Sequence, residues 1–100
     1  MLFAFYLVDR PDSAGVRQSV LAEHRAYLAR HGDRIAFAGP LLDDAHEAMV
    51  GSLLVLDFAD RGAAEAWLRD EPFTRAGVYA ESRVWPFRNR WPQKTGFAEA

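Results

Sequence analysis

The sequence contains no cysteine. That excludes a disulfide scaffold, a thiol nucleophile and any thiolate-held metal or iron–sulfur centre, and it leaves the redox compartment open. An excess of positive charge is also missing: 12 Lys and Arg stand against 14 Asp and Glu, for a formal charge of −2. No field is available to neutralise a phosphate backbone, so nucleic acid is not an expected partner. The longest apolar run, Leu2 to Val8, falls far short of a bilayer span, and no charged segment precedes it as in a signal peptide. A soluble cytoplasmic protein with no membrane partner is expected. Internal repeats, low-complexity tracts, a Gly-rich phosphate loop, a nucleophile elbow and a paired-histidine zinc motif are all absent.

What the chain does have is 100 residues, half of them hydrophobic, enough for one domain that buries roughly two-thirds of its unfolded surface. Leu2 to Val8 reads as a strand, rich in aromatic and aliphatic side chains, that stops at Asp9-Arg10-Pro11-Asp12-Ser13. Asp12 or Ser13 is a helix N-cap and Gly32 the matching stop. Between them Val16, Val20, His24, Tyr27, Leu28 and His31 trace one inward stripe, with Arg17, Gln18, Glu23, Arg25 and Arg30 on the opposite face. Ile35 to Ala38 reads as a second strand ended by Gly39-Pro40, and Leu41 to Met49 as a polar hairpin connection. Gly51 to Phe58 is the third strand. Asp60 caps a second helix, with Ala63, Ala64, Trp67 and Leu68 inward, that must end before Pro72. Tyr79 to Phe87 alternates as a fourth strand, with Pro86 tolerated at its end or on a sheet edge.

The order β-α-β-β-α-β predicts an α+β, ferredoxin-like fold: a four-stranded antiparallel sheet with two helices on one face. Leu2 to Val8 and Leu53 to Leu56 are apolar on both faces of their strands, where a solvated face would alternate with polar residues. Something therefore covers the open face. A two-fold homodimer packed sheet against sheet does this economically; the apolar tail, with Trp91 and Phe97, is the alternative cover.

His24 sits in the inward stripe between Val20 and Leu28, where an aliphatic residue would be expected, and a buried imidazole needs partners for its nitrogens. It reads either as a core histidine bonded to backbone or, given a nearby carboxylate, as a general acid or base: an acid on one ring nitrogen fixes the tautomer and raises the basicity of the other. The end of the first strand brings Asp9 near the helix, and the corner after the second helix brings Asp70 and Glu71. Ser52, at the start of the third strand, can donate to an anionic substrate oxygen. Arg10, Arg17 and Arg75 can each grip a carboxylate or phenolate, or serve only as surface charges. His31, His46, Asp43 and Asp44 show no metal-ligand spacing, so no metal is expected. Phe73, Trp67, Tyr79 and Trp85 read as core or interface.

The segments Asp9-Arg10-Pro11, Glu23-His24-Arg25-Ala26-Tyr27-Leu28, Ala38-Gly39-Pro40-Leu41, Gly51-Ser52, Glu71-Pro72-Phe73 and Val84-Trp85-Pro86-Phe87, in this order and spacing, resemble the YCII-related family. The resemblance extends to about Arg88, which sets the expected division: residues 1–88 as the domain and 89–100 as a C-terminal tail. It implies a dimeric α/β barrel and a site built on a histidine and an aspartate. His24 matches the family histidine and Asp9 the acid after the first strand. The family's Asp-Pro-Phe corner stands here as Glu71-Pro72-Phe73, preceded by Asp70. One related member is a dehydrochlorinase of a chlorinated hydroxyhydroquinone.

These readings lead to an expectation of a small cofactor-independent enzyme. In it His24, oriented by Asp9 or by Asp70 or Glu71, moves protons on a small aromatic or enolisable substrate as a lyase or isomerase, with Ser52, Arg10 or Arg75 holding the substrate. The alternatives are a non-catalytic module that binds a small ligand or a partner, and, by fold analogy, a mono-oxygenase.

Overall fold

In the computed structural model, which describes residues 1–91, four strands form one sheet: β1 (Leu2–Asp9), β2 (Ile35–Leu42), β3 (Met49–Asp57) and β4 (Tyr79–Phe87). The order across the sheet is β2-β3-β1-β4, with every neighbouring pair antiparallel. The helices are α1 (Ala14–Ser19), α2 (Leu21–Arg30), α3 (Arg61–Asp70) and α4 (Pro72–Arg75). This is the expected ferredoxin-like α+β architecture. Among the described residues no helix is long and apolar enough to cross a membrane. The proposed covering role of the tail falls largely on residues 92–100, outside those described.

The two-residue period of the strands sorts the side chains. Phe3, Phe5 and Leu7 of β1 face the helices with Leu54 and Leu56 of β3, and join Phe58, Ala64, Trp67 and Leu68 in the buried core. Tyr27 and Leu28 of α2 pack onto the same cluster. On the other face Tyr6 lies opposite Leu53 and Arg83, and Ala4 opposite Val55 and Trp85. Tyr6, Leu53, Trp85 and Phe87 are between 37% and 49% exposed there, an apolar surface that single-sided packing does not produce.

Several boundaries differ from expectation. β2 runs on through Gly39 and Pro40 to Leu42, because β2 is an edge strand, where a residue without an N–H can be accommodated; Pro86 in β4 occupies the opposite edge. The connection shrinks accordingly to residues 43–48, where the Asp43 carboxylate accepts from the Glu47 and Ala48 amides. The corner after α3 contains a further helical turn, α4, with Pro72 at its start.

The single first helix expected from the spacing is two helices, broken at Val20 (φ −114°). The Ser19 hydroxyl donates to the Val16 carbonyl at 2.7 Å, and such back-bonding competes with the helical ladder. The break resets the phase of α1. Val16, assigned inward, is 41% exposed, whereas Arg17, assigned outward, is buried.

Candidate active site

The site forms where the end of β1, the start of β3 and the helices meet. Leu7 pairs with Ser52, which places Ser52 on the helix side of the sheet. At the end of β1 the register with β4 slips by one residue, so that Asp9 lies opposite Tyr79 rather than Ala80. Such a bulge re-aims a side chain, and here it brings a phenol to the helix face.

His24 projects from α2 with its side chain 12% exposed, and its ring stacks on Phe73 with centroids 3.8 Å apart and planes 6° from parallel. Its Nδ1 is hydrogen bonded to Oε1 of Glu71. Glu71 is 1% exposed and is the N-cap of α4. It accepts from the Phe73 amide at 3.2 Å, the Thr74 amide at 3.4 Å and the Tyr79 hydroxyl at 3.3 Å. Pro72 in the first turn has no N–H of its own to satisfy. Three protein donors therefore converge on the carboxylate, which leaves it to act as acceptor toward the imidazole as well. Nδ1 accordingly carries the hydrogen toward Glu71, and Nε2 bonds to no protein group among the described residues. Burial, reinforced by the Glu71 charge, pushes the Tyr79 phenol far above its ordinary pKa.

Arg17 forms the second half of the site. Its Nε donates to Oδ2 of Asp9 at 3.0 Å, and its guanidinium lies over the Phe73 ring, 4.6 Å from the centroid. Nη2 donates to Oγ of Ser52 at 2.9 Å and to the Gly51 carbonyl at 3.3 Å. Arg17, His24 and Ser52 line a cleft of about 270 Å³ whose apolar walls include Leu21, Leu28 and Leu54.

Of the three acids considered for His24, the structure brings Glu71 to the ring. Asp9 is held by Arg17 instead, because the new phase of α1 turns that arginine toward the sheet. Asp70 is exposed and lines a separate cleft with Tyr27 and Arg30. Ser52 is in the cleft. Arg10 and Arg75 are not: Arg10 is exposed and donates to the Gly77 carbonyl at 3.2 Å, and Arg75 is exposed at the last position of α4 and lines the separate cleft. The buried cation at the cleft is Arg17, a gripping group that the spacing places on the solvent face; the exposed Arg25 also lines the cleft. Phe73 and Tyr79, read as core, are core residues that also touch the functional groups. His31 donates from Nδ1 to the Tyr27 carbonyl at 2.9 Å, away from the cleft.

Fold and cleft together define an α+β protein of the dimeric α/β-barrel type carrying a histidine–carboxylate pair. The chain belongs to the YCII-related family, whose domain matches residues 1–88. It is 35% identical over 95 residues to protein YciI of Escherichia coli O6:H1, across 88% of this chain and 97% of that protein. It is 31% identical over 88 residues to the xenovulene A biosynthesis cluster protein asL2 of Sarocladium schorii, across 74% of this chain and 76% of that one. Among solved structures, the 5-chloro-2-hydroxyhydroquinone dehydrochlorinase TftG of Burkholderia phenoliruptrix AC1100, in complex with 2,5-dihydroxybenzoquinone, matches with a TM-score of 0.84 at 33% identity. That match covers 88% of this chain and 94% of the other. The cofactor-independent oxygenase SnoaB of Streptomyces nogalater shares the fold, with a TM-score of 0.52 at 19% identity over 92% of this chain and 96% of that one.

Proposed function

We propose that this protein is a small enzyme that moves a proton on a hydroxylated aromatic or enolisable substrate, with His24 as the base and Glu71 as the group that orients it. The observation that carries this reading is the buried Glu71 carboxylate on Nδ1 of a histidine that lines a cleft. Nε2 takes a proton from the substrate, and the released electron pair moves onto a neighbouring oxygen within reach of the Ser52 hydroxyl. In an isomerase the same nitrogen returns the proton to a second atom. In a lyase the pair expels a leaving group. Neither route requires more than a tuned base and an oxygen donor. The likeness to TftG, a dehydrochlorinase, supports the lyase form and a ring-sized substrate.

The test is chloride release from 5-chloro-2-hydroxyhydroquinone, followed by a panel of related quinols and enolisable ketones. His24→Ala is expected to lower turnover about 10²–10⁴-fold while leaving the fold intact. Activity that survives this change defeats the assignment, and a wild-type chain that binds members of the panel without converting any supports a ligand-binding module instead.

The working form is a homodimer that packs the open sheet faces together. Exposed Tyr6, Leu53, Trp85 and Phe87 support this, because a contiguous apolar face calls for a covering partner.

A further inference from the structure

Arg17 is a nearly buried cation with incomplete bonding. A guanidinium carries five N–H groups. Three of them are directed at Asp9, Ser52 and the Gly51 carbonyl. Nη1 has two hydrogens but one partner among the described residues, the Met49 thioether at 3.3 Å, and a thioether is a weak acceptor. Met49 is 51% exposed at the first position of β3, so its side chain can swing away without disturbing the core. Met49 and Arg17 line the cleft that His24 faces.

We propose that Nη1 of Arg17 is the docking point for an anionic oxygen of the substrate, and that Met49 is a placeholder displaced when that oxygen arrives. This deepens the reading of the cleft as a substrate site and rests on it. The substrate class is then a small planar molecule with an ionised oxygen, an enolate or phenolate. The ring is held between the apolar walls of Leu21, Leu28 and Leu54, and the charge meets the guanidinium, whose fixed fork favours planar oxygen anions. A cleft of about 270 Å³ fits a single ring rather than a larger ligand.

Two quinones of similar shape separate charge from size. 2,5-Dihydroxybenzoquinone is a vinylogous acid, ionised at neutral pH, whereas 2,5-dimethoxybenzoquinone cannot ionise. Calorimetric titration of the full chain at neutral pH is expected to show the dihydroxy compound binding about tenfold tighter or more. Arg17→Gln strands the buried Asp9 and threatens the fold, so the decisive variant is at the half-exposed neighbour. Met49→Glu supplies an internal carboxylate for Nη1 and is expected to weaken the dihydroxy compound about tenfold, with the dimethoxy compound changed less than about twofold. Met49→Leu, which has no acceptor, is expected to keep or modestly strengthen binding of the anion. Equal affinity of the wild type for both quinones overturns the proposal, as does a Met49→Glu variant that weakens both alike or neither. Binding is read without turnover, so the two readings fail separately. A catalytically inert cleft that selects the anion refutes only the enzymatic reading, and a His24-dependent enzyme indifferent to Met49→Glu refutes only this one.

Discussion

The Glu71 carboxylate caps α4, receives the Tyr79 hydroxyl and holds the His24 ring at the same time. The corner Asp70-Glu71-Pro72 showed that an acid would be present but not which one, because two adjacent residues on a turn point in different directions once backbone angles are fixed. The cap pattern, an acceptor immediately before a proline that opens a helical turn, was the signal that singles out Glu71. Tyr79 was legible only as an aromatic in an alternating strand. The bulge that turns it toward Glu71 depends on pairing between distant segments, which no local pattern reports. Its phenol has a raised pKa in the fold through burial and the Glu71 charge. The stabilising contribution is therefore complete below the unfolded value of about 10 and declines as pH rises above it, by about 1.4 kcal/mol per pH unit. Denaturant unfolding between pH 9 and 11 should show this slope, and Tyr79→Phe should flatten it while lowering the neutral-pH stability by about 1 kcal/mol for the lost hydrogen bond. An alkaline slope unchanged in the variant contradicts the assignment.

The strands were readable as elements because apolar runs and Gly-Pro punctuation mark them in the chain itself, and the helices because of their three-to-four spacing. The break at Val20 was not, since it arises from the Ser19 hydroxyl reaching the Val16 carbonyl, a choice between two local hydrogen bonds that composition leaves undecided. Its effect on function is large, for it sends Arg17 into the interior. A second tertiary constraint falls on Gly51, where a Cβ would lie 2.2 Å from the Leu7 carbonyl oxygen. β3 can approach β1 this closely only without a side chain at that position. Gly51→Ala is expected to force the strands apart and destabilise the protein by about 1–3 kcal/mol or more. It should also move the carbonyl that receives Arg17 Nη2. The check is a denaturant midpoint together with the amide exchange of Leu7 and Ser52; an unaltered midpoint would show that the strands yield without cost.

At the level of the whole molecule, the two-sided apolar character of β1 and β3 indicated from the outset that two layers do not complete the structure, and the exposed side chains of the open face agree with that arithmetic. In the proposed homodimer, paired sheets would bury this surface in a closed two-fold assembly. Sedimentation at micromolar concentration should give twice the chain mass, and the double substitution Leu53→Asp with Trp85→Asp should give the single-chain mass with retained secondary structure. A wild-type monomer at that concentration contradicts the dimer. What the sequence concealed at this scale is the division of polar groups between clefts: Asp70, Arg10 and Arg75 share segments with the site yet lie outside it.

The prolines of the two outermost strands, Pro40 in β2 and Pro86 in β4, have a further consequence. Each interrupts the row of amide donors that a margin would offer to an incoming extended chain, so lateral growth into fibrils is obstructed on both sides. The proposed face-on pairing, by contrast, is a mode that terminates after one addition.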